Sequence, residues 1–396
     1  MALLVQKFGG TSVGSIERIE AVAERVIQAR QRGHQVVVVV SAMAGETNRL
    51  LGLAKQIDAV PTQRELDVLL STGEQVTIAL LAMALNKRGY QATSLTGEQL
   101  GIRTDTVFNN ATITEVETEV VTELLERDHI VVVAGFQGRD SQNNITTLGR
   151  GGSDTTAVAI AGALAADECQ IFTDVDGVYT TDPRLVSEAA RLSTIHFDDM
   201  TAMARHGAKV LQLQSVEYAE QHQVPLRVLS SFAEGEGTLV DFSTVSSHGA
   251  AGVAVKGRQA LYRVAQPLEK VEQQLGLLGV DAWCYGDSQQ ATYPATYIVA
   301  ADDELARLNV ILEKTELTQP SVAILTLVGE GIEGDSTQVA ASLTEKGMRV
   351  YQQKSTARCV SLLINGQHLQ LAVEHIHKKF VVEPESLDNR PLLAVS

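Results

Sequence analysis

Three clusters of glycines, cations and carboxylates carry the chemistry in this sequence. The first is Lys7-Phe8-Gly9-Gly10-Thr11-Ser12. Glycines after an apolar run let backbone amides close on phosphate oxygens, and a following helix N-terminus adds a favourable field. Lys7, at the end of that run, suits charge neutralisation on a transferring phosphoryl group. The second cluster is Thr147-Leu148-Gly149-Arg150-Gly151-Gly152-Ser153-Asp154-Thr155-Thr156. Here a glycine run opens a capped helix, again an anion-binding geometry. Arg150 is suited to gripping a carboxylate through two parallel hydrogen bonds, and Asp154 to orienting a lysine or holding a metal. The third runs from Phe172 to Arg184 and gathers Thr173, Asp174, Asp176, Tyr179, Asp182, Pro183 and Arg184 just past a predicted strand. That is where open α/β sheets bind ligands. Its Asp-Val-Asp-Gly step resembles the start of a calcium loop, but the twelve-residue pattern with a terminal Glu is missing.

Smaller features point to the same edge. Ser41 follows a valine run and Thr47 lies beyond it. Ser71-Thr72-Gly73-Glu74 interrupts a helical stretch, with Glu74 able to accept from a substrate ammonium. Gly207-Ala208-Lys209-Val210 offers a second cation. Taken singly, these are an ordinary loop hydroxyl, helix carboxylate and surface lysine. Together, all follow or abut strands of one sheet.

Other chemistries lack their marks. GxxxxGK[S/T] is absent, which argues against a Walker-type ATPase, and no glycine fingerprint supports a dinucleotide site. A nucleophile triad is not supported, and the nine histidines form no H-E-x-x-H pair. Cys169, Cys284 and Cys359 are far apart without CxxC spacing, which argues against a disulfide framework or a zinc site and fits a reducing compartment. No residue set stands out as a protein-borne metal site. A net charge of −16 without a basic tract makes nucleic acid and anionic membranes poor partners. No apolar run reaches the ~20 residues of a membrane helix, and the first residues lack a signal peptide's basic leader, so the cytoplasm is the expected location.

The elements that must position these groups follow from periodicity. The length of 396 residues implies two or three domains, and 44% hydrophobic with 20% charged residues implies a globular chain. Over residues 3–230, apolar blocks alternate with amphipathic stretches. Strands are predicted at 3–8, 36–40, 130–134 and 169–173, and helices at 15–32, 65–88, 114–127 and 155–165. This rhythm gives an α/β fold, a mostly parallel sheet covered by helices on both faces. The polar stretch 243–249 is the predicted linker. After it, the order strand-helix-strand-strand-helix occurs twice, over 259–313 and 322–380. Two small α+β units sharing a sheet is the expected architecture, with a frayed tail after residue 384.

The blocks Lys7–Ser12, Ser71–Glu74, Gly149–Thr156, Thr173–Arg184 and Gly207–Lys209 resemble, in order, the signature blocks of the aspartokinases, members of the amino-acid kinase superfamily. The resemblance is nearly continuous over about 3–240. The C-terminal part is similar, more weakly, to the paired ACT regulatory domains of the same enzymes. The resemblance implies a catalytic domain over 1–242, a degenerate ACT-like unit over 250–318 and a second ACT-like unit over 319–384. It implies ATP- and Mg²⁺-dependent phosphorylation of the side-chain carboxylate of L-aspartate, the first committed step toward lysine, threonine and methionine. It also implies roles. Lys7 would stabilise the transferring phosphoryl group with Gly9, Gly10 and Ser12; Asp154 would organise the catalytic lysines, and Lys209 would hold the ATP phosphates with Val210 beside it. Phe8, Thr173, Asp174, Tyr179, Asp182, Pro183 and Arg184 would line the nucleotide pocket. Thr47, Glu74 and Arg150, with Gly151, Gly152 and Ser153, would hold aspartate, and Ser41 would lie between the ligands. Homo-oligomerisation through the ACT-like units is implied as well.

The departures lie in the C-terminal half. The family's Pro-Gly pair between first strand and helix is missing from both repeats, which read Arg263-Val264-Ala265-Gln266-Pro267-Leu268 and Gly331-Ile332-Glu333-Gly334-Asp335-Ser336. Ser355-Thr356-Ala357-Arg358-Cys359 replaces the usual effector strand. Lysine or threonine feedback is therefore expected to be weak or lost. Two other readings compete: a kinase for another acidic amino acid, such as glutamate or N-acetylglutamate, and a non-catalytic amino-acid sensor. The sensor would have lost a lysine or broken a glycine loop, yet Lys7, Asp154 and Lys209 are all present.

Overall fold

The computed structural model of the chain describes residues 1–149, 151–244, 249–278, 280–286, 295–312 and 315–383. They form two compact units. The first takes in Met1–Val178, Arg191–Ala204 and the described residues from Lys209 to 244; the second takes in Tyr179–Ala190, Arg205–Ala208 and the described residues from 249 onward. The chain thus enters the second unit twice before the predicted linker, of which 245–248 lie outside the described residues.

In chain order the first unit comprises β1 (Leu3–Phe8), α1 (Ile16–Gln31), β2 (Gln35–Val40), α2 (Glu46–Ile57), α3 (Gln63–Leu70), α4 (Thr72–Lys87), β3 (Ala92–Leu95), α5 (Gly97–Leu100), β4 (Ile102–Thr104), β5 (Ile113–Val116), α6 (Glu119–Glu126), β6 (Ile130–Ala134), β7 (Gln137–Arg139), β8 (Ile145–Thr147), α7 (Gly152–Ala163), β9 (Glu168–Thr173), β10 (Thr194–His196), α8 (Phe197–Arg205), α9 (Leu213–Gln221), β11 (Leu226–Ser230) and β12 (Thr238–Asp241). Eight strands form one sheet in the order β10-β12-β11-β9-β1-β2-β6-β3, parallel except where β11 meets β12. β1 sits inside it, with Lys7 in register with Val39 of β2 and Ile171 of β9. Strand alternation splits the core. Phe8, Val38 and Val132 pack with Ile19, Val22 and Val26 of α1 and with Leu81 and Leu85 of α4. Val5, Val37, Val39, Val131 and Val133 point the other way and are equally buried. Lys7 shares their side, where α7 packs along β1, β2 and β9.

The helical stretch predicted over 65–88 is two helices, α3 and α4, meeting at Ser71, whose Oγ donates to Val68 O at 2.9 Å. Together they are long and apolar enough to cross a membrane by composition, yet Leu81 and Leu85 are fully buried against the sheet. The helix predicted over 114–127 is corrected. Its first part is β5, which pairs antiparallel with β4 in a four-stranded sheet, β5-β4-β7-β8, and only α6 is helical. β-Branched Ile113, Thr114 and Val116 favour the extended state once β4 supplies a partner.

The second unit contains β13 (Gly249–Val264), α10 (Leu268–Leu278), β14 (Trp283–Gly286), β15 (Thr296–Ala301), α11 (Leu305–Ile311), β16 (Glu316–Glu330), α12 (Ser336–Glu345), β17 (Val350–Thr356), β18 (Cys359–Asn365) and α13 (Leu369–Ile376). The expected duplicated order is present, and both repeats share one antiparallel sheet, β14-β15-β13-β16-β18-β17. The central strands β13 and β16 are far longer than periodicity suggests, because each pairs with the other along most of its length. Tyr179–Ala190 belongs to this unit in detail. Val186 is buried with Val253, Leu325 and Leu343, Val253 N donates to Thr180 O at 2.7 Å, and Thr180 Oγ1 lies 2.8 Å from His377 Nε2. The tail after 383 lies outside the described residues.

Leu81→Ala is expected to lower stability by about 2–5 kcal/mol in urea unfolding, whereas Val76→Ala, at a half-exposed position of the same helix, is expected to change it by less than about 1 kcal/mol.

Candidate active site

Lys7 is the penultimate residue of β1 and only 9% exposed. A buried ammonium needs a partner. α7 provides it: Lys7 Nζ lies 2.6 Å from Asp154 Oδ1, in the first turn of that helix. Beyond Lys7 the chain turns through Gly9-Gly10, where Ser12 N donates to Gly9 O at 2.9 Å. The loop after β2 is laced to this turn, with Ala44 N donating to Gly10 O at 3.1 Å. A Cβ on Gly10 would stand 2.9 Å from Ala42 O, so only glycine permits the approach. Opposite, Gly149 (φ +75°) and Gly151 (φ +73°) are left-handed and bring the chain into the N-terminus of α7. A Cβ on Gly151 would lie 2.3 Å from Gln212 Cγ, so the segment that follows Lys209 and Val210 abuts the glycine loop.

These loops enclose a cavity of about 590 Å³. Of the expected residues, Lys7, Gly9, Gly10, Ser41, Thr47, Glu74, Gly151, Gly152, Ser153 and Asp154 line it. Other expected positions lie elsewhere. Phe8 is fully buried in the core, stacked on Phe172 with ring centroids 4.5 Å apart. The Ser12 hydroxyl is buried 2.6 Å from Ser231 Oγ. Thr173 ends β9, and its hydroxyl donates to Asp174 Oδ1 at 3.1 Å. Lys209 is exposed. Tyr179, Asp182, Pro183 and Arg184 belong to the second unit, where Arg184 Nη2 pairs with Asp182 Oδ2 at 2.7 Å. Arg150 lies outside the described residues. Among the described residues, no group of three or more His, Cys, Asp or Glu side chains is arranged around a metal position.

The cavity also has walls that sequence reading misses. Ala42, Met43, Ala44 and Gly45 extend the Ser41 loop, and the small residues between Ser41 and Thr47 are a usable sign of close backbone approach. Asn109 (φ +62°) and Phe136 (φ +71°) come from turns remote in sequence, with no local motif to mark them.

Glu74 reaches the cavity from the first turn of α4, 3% exposed. Its Oε1 accepts from Ala42 N at 3.0 Å, while Oε2 is buried without a hydrogen-bond partner among the described residues. Burial pushes its carboxyl up to about 7, and the Ala42 amide opposes the rise only in part. A cavity-lining carboxyl with one unpartnered oxygen can accept from a donor group.

Comparison with known proteins identifies the family. The sequence model of the amino acid kinase family matches residues 2–230, and the chain belongs to that family. The aspartokinase of Pseudomonas aeruginosa is 44% identical across 97% of this chain and 98% of its own length. E. coli aspartokinase III, crystallised with lysine and aspartate, aligns with a TM-score of 0.75 at 25% identity, covering 96% of this chain and 99% of that one. Its complex with aspartate and ADP aligns with a TM-score of 0.76 at 24% identity, covering 95% and 99%, and shows the shared fold. Within the amino acid kinases, this chain stands with the aspartokinases.

Glu74 binds its proton more tightly folded than unfolded, so its contribution to stability is present below the ordinary Glu range and is lost as pH rises to about 7. Glu74→Gln is therefore expected to gain stability over the parent at pH 8 relative to pH 4, by on the order of 3 kcal/mol at most, in paired denaturant titrations.

Proposed function

We propose that this chain is an ATP-dependent aspartate kinase that transfers the γ-phosphoryl group of ATP to the side-chain carboxylate of L-aspartate, giving 4-phospho-L-aspartate. The observation that carries the reading is the buried Lys7–Asp154 pair at the base of a glycine-rimmed cavity, in a chain 44% identical to an aspartokinase over nearly its full length. The step joins two anions. Their repulsion is the main obstacle, and positioning with electrostatic screening is the main remedy.

The residues divide that work. Lys7 faces the transferring group, and the amides of Gly9 and Gly10 donate to phosphate oxygens. Asp154 holds Lys7 in place through their 2.6 Å contact. Lys209, which is exposed, screens the phosphate chain, and Thr173 and Asp174, at the end of β9, serve the nucleotide. Glu74 takes the substrate ammonium, while Thr47, Ser41, Gly151, Gly152, Ser153 and Arg150 serve its carboxylates. ATP supplies the phosphoryl group, and Mg²⁺ carried by its phosphates would add further screening. The catalytic part corresponds to 1–242 and the two ACT-like units to 250–318 and 319–384. The paired units serve as a scaffold between copies of the chain, and the enzyme works in the cytoplasm.

An acceptor screen with hydroxylamine trapping is expected to give hydroxamate from aspartate, and little from glutamate or N-acetylglutamate. Lys7→Ala is expected to reduce turnover by about 10³-fold or more with the circular dichroism spectrum retained. Trapping from glutamate instead of aspartate would overturn the acceptor, and surviving turnover would overturn the role of Lys7.

The altered effector segments support weak feedback. Lysine and threonine at low millimolar concentration are expected to leave the initial rate unchanged in a coupled assay, and clear inhibition by either would refute this.

A further inference from the structure

Asp67 is a buried ionisable group that the catalysis above leaves without a task. It lies on α3 with no exposed surface. Its two oxygens accept from the Asn109 amide at 3.1 and 3.0 Å, from the Thr147 amide at 2.9 Å and from the Thr147 hydroxyl at 2.6 Å. Burial raises its pKa, and these three donors oppose the rise. A carboxylate so fully desolvated is tolerated only with such compensation.

Its partners share a location. Asn109 lines the cavity from a left-handed turn, and Thr147 stands two residues before Gly149, which also lines it. The two segments fit tightly. Ala111 N donates to Thr147 O at 2.9 Å, and a Cβ on Gly149 would lie 2.8 Å from Asn110 Oδ1. They therefore form one packed body. Asp67 roots that body in α3, which passes through Ser71 directly into α4 and Glu74. Two of the three donors are main-chain amides, so the carboxylate fixes the path of the backbone and not merely a side-chain rotamer.

We propose that Asp67 is a positioning residue for the amino-acid end of the cavity: by holding Asn109 and Thr147 it sets the glycine loop against Glu74 and governs affinity for the acceptor without touching it. This rests on the acceptor end proposed above. Asp67→Asn keeps the shape but turns amide hydrogens toward hydrogen-bond donors. It is expected to raise KM for aspartate by about tenfold or more, leaving KM for ATP and kcat per folded molecule within about threefold. Asp67→Glu, which keeps the charge, is expected to recover part of that loss. An aspartate KM within twofold of the parent overturns the proposal, as does an equal rise in both KM values, which would mean general loosening. Should Asp67→Asn not fold, Thr147→Val decides, since it removes only the hydroxyl donor. An aspartate-selective rise of about threefold supports the proposal, and unchanged constants overturn it. If the parent enzyme phosphorylates another acid, the acceptor assignment fails on its own, and a selective KM rise for that acid still upholds the role of Asp67.

Discussion

The arrangement depends on one buried ion pair. Lys7 and Asp154 come from a central strand and from the helix laid across it, and neither charge is tolerable there alone. The pair ties β1 to α7 at the point where a glycine-rich turn follows the strand and another precedes the helix. Because the ammonium is matched by a carboxylate, its position at the cavity is fixed by the fold. A lysine on a mobile loop would have to give up conformational freedom on binding; here that entropy is lost during folding.

Around this floor the walls are set by main-chain contacts. The loop after β2 hydrogen-bonds the Gly9-Gly10 turn, the glycine loop packs against the Asn109 turn, and Asp67 gathers the latter two onto α3. Side chains then act as fine adjustments on a stiff frame. Glu74 is the exception. Among the described residues one of its oxygens has no hydrogen-bond partner, and burial makes that an unfavourable state. Such tension belongs where specificity for an amino group is wanted.

Much of this is legible in the sequence, for identifiable reasons. β1 and β6 match their predicted spans to the residue; β6, buried on both faces, reads as an uninterrupted apolar run, and in β1 only Gln6 and Lys7 interrupt it. The duplicated order of the C-terminal half shows in its strand-helix rhythm. Lys7, Glu74 and Asp154 stand out by type and place, and share one cavity. The small sheet of β4, β5, β7 and β8 escapes notice, since strands of three or four residues show no period, and β5 merges with the helix that follows it. Asp67 looks like any charged residue on an amphipathic helix; its partners lie 42 and 80 residues away, beyond the reach of local pattern. Asn109 and Phe136 are cavity walls by virtue of left-handed turns that non-glycine residues do not advertise.

The embedding of Tyr179–Ala190 in the second unit has a practical corollary for anyone dissecting the molecule. The backbone shuttles: it leaves the large parallel sheet after Val178, contributes Val186 to another core, and returns at Arg191. A fragment ending at the linker would carry Val186 away from Val253, Leu325 and Leu343 and strip Thr180 of both Val253 and His377. Scissors placed where the composition changes would thus sever a hydrophobic joint, even though the sequence reads as beads on a string.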